Sequence, residues 1–471
     1  MKGILFTVLL AFAVLFGSAF SAASAKAPQN PPDRSYLVIS KTNQIPRNML
    51  NRMRRMGAKV ASTIPQIGVM VVETTDPQFV TRAGRMAGVQ AVLPNLEVQW
   101  LDQPAQAFEV DRLGPQSLIA DDTYFNLQWN LAAIGAPDAW AQGQRGQNVL
   151  VAVLDTGFDL NHPDLQENIV GSASFVAGES AQYSLPDMFS HGTHIAGIIA
   201  AADNDIGVIG VAPQASLLLI KVLQDNGSGT IADVLAGMAY AADERADVIN
   251  LSFGVQFDTK GFVYDGNGNW LPLPKKDILE YRQLMSRAVN YANSRGALVV
   301  AATGNNGWYV PAGSSIMILP ADAQGVIGVS ATGPIGWALN PLTSLDNLAL
   351  YSNIGHNLVD VAAPGGEYRN AADTPVCTLS GQTKPCWVFD MVISAGHSID
   401  PQTPAYYWTA GTSMAAAHTS GVLALLIGSH NDKISVGKAT NRLYQSADDL
   451  GPAGKDDYFG AGRVNAATIV R

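Results

Sequence analysis

Residues 148–157 read NVLVAVLDTG, six apolar residues in succession and then an acid before a Thr-Gly pair. A short run of Val, Leu and Ala with no polar alternation describes a strand buried on both faces. Asp155 stands directly after it, where a tight turn through Thr156-Gly157 can aim the carboxylate. The same signature repeats outward along the chain in SLLLIKVL (216–223), DVINLSF (247–253), ALVVAAT (297–303), VIGVSAT (326–332) and LVDVAA (358–363). Helical stretches intervene, among them IADVLAGMAYAADERA (231–246) and ILEYRQLMSRAVNYANSRG (278–296). Apolar strands alternating with helices imply an α/β fold, a mostly parallel sheet with helices on both faces. In such sheets the chemistry gathers at the carboxyl ends of the strands, where Asp155 stands.

Two further segments supply what an acid alone lacks. SHGTHIAG (190–197) offers an imidazole, His191, and GTSMA (411–415) a hydroxyl, Ser413. Serine is a weak nucleophile at neutral pH and needs a base to take its proton, and the base needs a carboxylate to fix its tautomer. Ser413 opens an apolar run to Ile427, so it is expected at a helix N-terminus, among unpaired amides and the positive end of the dipole. The chain order Asp, His, Ser is that of subtilisin, not of chymotrypsin or the α/β-hydrolases. At these segments the chain resembles the subtilisin-like serine proteases.

Other chemistries lack their residues. An aspartic protease needs a second DTG or DSG to share the proton, and there is none. His191 and His194 stand three apart, but no HExxH and no third ligand accompany them, so no catalytic metal is expected and His194 is read as structural. GTSMA is not G-x-S-x-G. Where relatives more often carry Ser-Pro after Met-Ala, this chain has Ala416-Ala417, which a helix accepts readily.

The resemblance assigns further roles. Asn305 in AATGNN matches the oxyanion-hole asparagine, with Asn306 as the neighbouring alternative. Ser252, Phe253 and Gly254 match the strand beside which an extended substrate pairs. Asp164, Asn204 and the carbonyls of Ala202, Ile206 and Val208, with Gln128 in addition, match a structural calcium site built of oxygen ligands.

At 471 residues the chain is too long for one ordinary core. Lys2, the apolar run Ile4 to Phe16 and the small residues Ala23-Ser24-Ala25 describe a secretory signal peptide over 1–25. No second long apolar segment follows, so no membrane anchor is expected in the mature form, and the location is extracellular or periplasmic. The two cysteines, Cys377 and Cys386, are close together, and in an exported protein a local disulfide is expected.

Residues 26–101 carry 10 Lys and Arg against 4 Asp and Glu, whereas 102–471 carry 18 against 35. A basic arm for nucleic acid is one reading of that split. However, Arg52, Arg54, Arg55 and Lys59 read as one amphipathic helix, so docking of a basic module on the acidic remainder is expected instead, with no nucleic-acid partner. The order β-α-β-β-α-β over 35–101 suggests a ferredoxin-like sandwich. It resembles the inhibitory propeptide that precedes subtilisin-like catalytic domains; an independent binding domain is the alternative.

The expected division is therefore signal 1–25, propeptide 26–101, linker with processing site 102–122 and catalytic domain 123–471. The expected function is a secreted, monomeric serine endopeptidase made as a zymogen, acting on protein or peptide substrates and on its own propeptide. Broad degradation and dedicated precursor or leader processing stay open. An inactive binding protein on the same fold is the reading from another class. Two segments, 255–276 and 367–407, look inserted, and the first is placed to wall the cleft.

Overall fold

The structure, a computed structural model, describes residues 34–101, 107–111, 122–266, 268–372, 375–400, 403–431 and 434–471. The expected signal peptide and most of the linker in which processing is expected lie outside the described residues.

The strand Leu150–Asp155 lies inside an eight-stranded sheet. Across the sheet the order is Asn347–Leu348, Val326–Gly333, Leu298–Ala302, Val248–Leu251, Leu150–Asp155, Ser216–Lys221 and Ile169–Ser174, with Val361–Pro364 also pairing to Val326–Gly333. Every pairing is parallel except that of the two-residue Asn347–Leu348. Successive side chains of a strand point to opposite faces, and each face is covered. Val151 and Val153 join the core beneath the helices His191–Ala200 and Thr412–Ser429. Ala152 and Leu154 join the opposite core, beneath Ile231–Asp243 and Lys275–Ser294. This double burial is why six apolar residues stand in a row.

The N-terminal unit is an antiparallel sheet in the order Lys59–Ile64, Val69–Thr74, Arg34–Ser40, Val89–Pro94. Its helices Arg47–Arg55 and Phe79–Gly84 cover one face through Met49, Met53, Phe79 and Ala83. The other face, with Leu37, Ile39, Val69, Val71 and Leu93, merges with the core of the larger unit. The ferredoxin-like expectation holds, with two corrections. Lys59 opens a strand instead of belonging to the helix. Lys59 and Arg82 also form ion pairs inside their own unit, with Glu73 and Asp76. The junction rests on apolar packing and on hydrogen bonds in which at least one partner is uncharged: Tyr281 Oη to the Pro94 carbonyl (2.6 Å), Arg287 Nη1 to the Ser40 carbonyl (2.9 Å), and Gln66 Nε2 to Asp243 (2.6 Å).

Both inserted segments are ordered around strands. Val255–Asp258, Phe262–Tyr264 and Trp270–Pro272 form an antiparallel sheet with Ile316–Leu319. Val376–Leu379 and Gln382–Pro385 form a hairpin closed by the Cys377–Cys386 disulfide, as the spacing leads one to expect.

Candidate active site

Asp155 is fully buried at the end of its strand and holds His191 through Nδ1, at 2.8 and 3.0 Å from its two oxygens. His191 begins a helix whose cap also secures the acid. Ser190 Oγ accepts the Thr193 N–H, as an N-cap serine does, and donates to the Gly157 carbonyl at 2.8 Å. Thr156 Oγ1 accepts the Gly192 N–H at 3.2 Å. Only glycine fits at 157, since a Cβ there would meet the backbone of Tyr183 and the carboxylate of Asp225. The turn and the helix are thereby stitched into one unit.

Ser413 is the second residue of the helix Thr412–Ser429 and lines the same cleft as His191 and Asn305. Its hydroxyl donates to the Ser252 carbonyl at 2.7 Å, while Ser252 Oγ donates back to the Ser413 carbonyl at 2.8 Å. The hydroxyl is therefore turned toward Ser252 in this conformation. Catalytic hydrogen bonds are often unaligned without substrate, and a rotation about χ1 carries Oγ to other acceptors.

Asn305 lies beyond the strand Leu298–Ala302, and its carbonyl oxygen accepts from both the N–H and the Oγ1 of Thr412, at 2.8 and 2.9 Å. That grip fixes the orientation of the carboxamide in the cleft. Asn306 is held elsewhere, its Oδ1 accepting from Gln256 and Asn353. His194 is buried and its Nε2 donates to the Tyr407 carbonyl; burial pushes its pKa down to about 3, so the ring stays neutral. His418 is neutral for the same reason, lowered to about 4, with Nδ1 donating to the Met414 carbonyl.

Phe253 and Gly254 line the cleft, and the chain's own residues lie along it. Glu97–Gln99 pairs antiparallel with Ser228–Thr230. Trp100 follows, its N–H donating to the Gly227 carbonyl and its own carbonyl accepting the Gly254 N–H, both at 3.0 Å. Its indole is buried, donates through Nε1 to the Gly229 carbonyl and meets Phe253 edge-on at 5.3 Å.

The calcium candidates converge only in part. Asp164 is buried; Oδ2 accepts the Val208 N–H at 3.0 Å, while Oδ1 has no hydrogen-bond partner. Asp122 reaches the same loop, with Oδ1 accepting the N–H groups of Asn204 and Ile206. Burial first, and the Asp122 charge in addition, raise the Asp164 pKa well above the carboxylate range. A Cβ at Gly207 would fall onto Asp164 and the Tyr406 hydroxyl. Two buried acids on one loop, with one oxygen of Asp164 unpaired, fit a hard cation, although no cluster of three or more acidic, His or Cys side chains forms there among the described residues. Gln128 does not join them, because both ends of its amide are bound to the Ile209 backbone, at 2.8 and 2.9 Å.

Two residues escaped the sequence reading. Asp122 stands at the end of what reads as linker. Asp225 lies in a polar loop, yet accepts the Gly157 N–H and pairs with the fully buried Lys221. Burial works to raise the Asp225 pKa, but the bonds from Lys221 and Ser184 outweigh it and hold it below the ordinary value.

An Asp155–His191 pair and a serine on one cleft, beside an extended strand, are the parts that a hydrolase of extended chains requires. Residues 146–462 match the subtilase family, and the chain belongs to it: this is a subtilisin-like serine endopeptidase. Subtilisin NAT from Bacillus subtilis subsp. natto is 30% identical over 466 residues, covering 98% of each chain. The thermophilic serine proteinase of Bacillus sp. (strain AK1) is 30% identical over 418 residues, 87% of this chain and 83% of the relative. The solved epidermin leader peptide processing serine protease of Staphylococcus aureus shares the fold, with a TM-score of 0.69 at 22% identity over 93% of this chain and 98% of the other. Among the described residues no helix is long and apolar enough to cross a membrane.

Proposed function

We propose that the protein is a secreted endopeptidase made as a zymogen, with signal 1–25, propeptide 26–101, processing within 102–122 and catalytic domain 123–471. Asp155, His191 and Ser413 form the triad. Ser413 attacks the scissile carbonyl while His191 takes its proton, and Asp155 fixes the imidazole and stabilises its charged form. The developing oxyanion is met by the Asn305 amide and the Ser413 N–H. His191 then protonates the leaving amine, and water releases the acyl group by the reverse path. The observation that carries this reading is the Asp155–His191 contact opening onto the cleft that Ser413 lines.

Calcium, where bound, is held by Asp164, Asp122, Asn204 and the carbonyls of Ala202, Ile206 and Val208, and its role is to brace the loop. The mature form is a monomer. Docking of 97–101 as an added strand supports the propeptide reading, since it is the geometry expected of a cleaved product. Restricted processing is favoured over broad degradation by the inserted 255–276 segment, because Gly266 packs on Gln99 beside the cleft.

Ser413→Ala decides the matter: peptide hydrolysis and covalent labelling by a fluorophosphonate both vanish. Label retained on another serine refutes the assignment.

A further inference from the structure

Residues 97–101 fill one side of the cleft, and the chain returns on the other side. Leu101 and Ala107 both line the cavity that holds His191 and Ser413. Beyond Ala107, Phe108–Glu109 adds a third strand to Val392–Ala395 and Tyr406–Thr409, with Phe108 opposite Trp408 and Glu109 opposite Tyr407. The Val110 N–H donates to the Tyr406 carbonyl at 3.0 Å. Addition of an extended segment to a sheet edge is a general mode of peptide recognition.

The inserted segment supplies what surrounds this strand. The Phe108 ring stands edge-on to Trp387 at 5.1 Å. Val110 is buried in the main core, whereas Glu109 between them is exposed, as strand alternation requires. Gln382, fully buried, closes the far end. Its Oε1 accepts the Asp111 N–H at 2.7 Å and its Nε2 donates to the Asp111 carbonyl at 2.6 Å. One carboxamide thus satisfies both main-chain groups of a residue, a contact independent of that residue's side chain. Lys384 Nζ adds a charge-assisted bond to the Asp111 carboxylate at 2.8 Å. Backbone capture, an aromatic wall and a cation are the parts of a recognition site.

We propose that the hairpin 376–385, with Trp387 and the strand Tyr406–Thr409, is a recognition site for the leaving-group side of extended polypeptide substrates. It selects an apolar–x–apolar–acid sequence there, as Phe108-Glu109-Val110-Asp111 provides. This rests on the endopeptidase reading above. In the precursor the site holds 107–111 while 97–101 is held on the other side of Ser413. In the mature enzyme it takes the matching part of a substrate.

The test uses mature enzyme and two substrates: an internally quenched peptide with the sequence of residues 97–111, and a short peptidyl nitroanilide that ends at the cleaved bond. Replacing Phe108 by Ala or Asp111 by Lys in the long peptide is expected to raise its KM about tenfold, the effect of one lost charge-assisted or aromatic contact. In the enzyme, Gln382→Ala lowers the ratio of kcat/KM for the long peptide to that for the nitroanilide by a similar factor. Lys384→Asp does the same, and cleavage recovers with the peptide that carries Asp111→Lys. The exposed Asp111 and its lysine keep the test sound if Gln382→Ala fails to fold. Equal KM values for all long peptides mean that the enzyme's own 107–111 stays in the groove, and overturn the proposal. Loss of nitroanilide hydrolysis in Ser413→Ala, read separately, decides the endopeptidase reading.

Discussion

Asp225 accepts the N–H of Gly157 at 3.0 Å and so ties the turn that aims Asp155 to the end of the neighbouring strand. That strand pairs Asp155 with Lys221 in register, and the ammonium of Lys221 is buried between Asp225 and Glu179. Removing one partner of a buried pair leaves a charge uncompensated, at a cost of about 3–5 kcal/mol. Asp225→Ala is expected near the lower end, because Glu179 remains. It also slackens the Asp155 turn, so kcat falls. The double variant Lys221→Met with Asp225→Leu regains stability in urea titration without regaining kcat. Unchanged stability and rate in Asp225→Ala would show that the tie is idle.

Asn305→Ala lowers kcat by about 10²–10³ with a smaller change in KM, the mark of a donor that acts on the developing oxyanion. That range is the one known for the oxyanion-hole asparagine of subtilisin. Asn306→Ala instead acts through stability, since its carboxamide is committed to Gln256 and Asn353. The opposite assignment of kinetic and stability effects places the donor one residue later.

Legibility followed burial. The strands at Leu150–Asp155, Ser216–Lys221, Val248–Leu251 and Leu298–Ala302 were readable because both faces are covered, which forces unbroken apolar runs. The edge strand Ile169–Ser174 escaped: its sequence IVGSAS is half exposed and need not be apolar. Asp155, His191 and Ser413 could be singled out as candidates because each is embedded in a local motif. Asp225 could not, because its function arises from a contact 68 residues away in the chain. Asp122 sits in polar sequence without periodicity, and the alternation Phe108-Glu109-Val110-Asp111 is only four residues long within a stretch of Pro, Gln, Asp and Ala, so neither stands out from linker. The charge split between the two units was real, yet the acids of Lys59 and Arg82 proved to be their own neighbours.

Removing calcium is expected to lower the thermal midpoint of the mature enzyme, and adding it back restores the midpoint. A ligand bound only by the folded state stabilises by about 2.7 kcal/mol at a hundredfold excess over Kd. Asp122→Ala and Asp164→Ala each weaken the response, whereas Gln128→Ala keeps it, because that amide serves Ile209. A midpoint indifferent to EGTA in the unaltered enzyme removes the cation from the account.

Buried histidines set an acid limit. His162 and His418 are lowered to about 4 and His194 to about 3, in each case chiefly by burial, so the folded state keeps them neutral. Unfolded histidine titrates near 6.5. Between these values the unfolded chain binds more protons, so this contribution to stability is lost as pH falls from about 6.5 toward 4. Asp233, Asp322 and Asp390, raised to about 6 by burial, have the opposite slope over the same window. The difference between unaltered enzyme and His418→Asn isolates one histidine: urea stability of the variant depends less steeply on pH, by close to one proton at about pH 5, or about 1.4 kcal/mol per pH unit. Parallel curves would mean that His418 titrates alike in both states.

Trp100 is the test of the propeptide. It is buried in the cleft, bonded through its N–H, carbonyl and indole to Gly227, Gly254 and Gly229, and packed on Phe253. Buried aromatics at the centre of an interface are the residues whose truncation costs about 2 kcal/mol or more. The separate 26–101 fragment is expected to inhibit mature enzyme, and Trp100→Ala to weaken that inhibition by about 30-fold or more. Salt discriminates between two causes of docking. Had the opposite charges of the units driven it, inhibition would fall steeply as ionic strength rises past the range where the Debye length is about 10 Å. The junction is apolar, with Leu37, Ile39, Val69 and Leu93 packed into the core of the larger unit, so the inhibition constant is expected to vary little with salt. A fragment that neither inhibits the enzyme nor speeds its refolding, with or without Trp100, is an independent domain and not a propeptide.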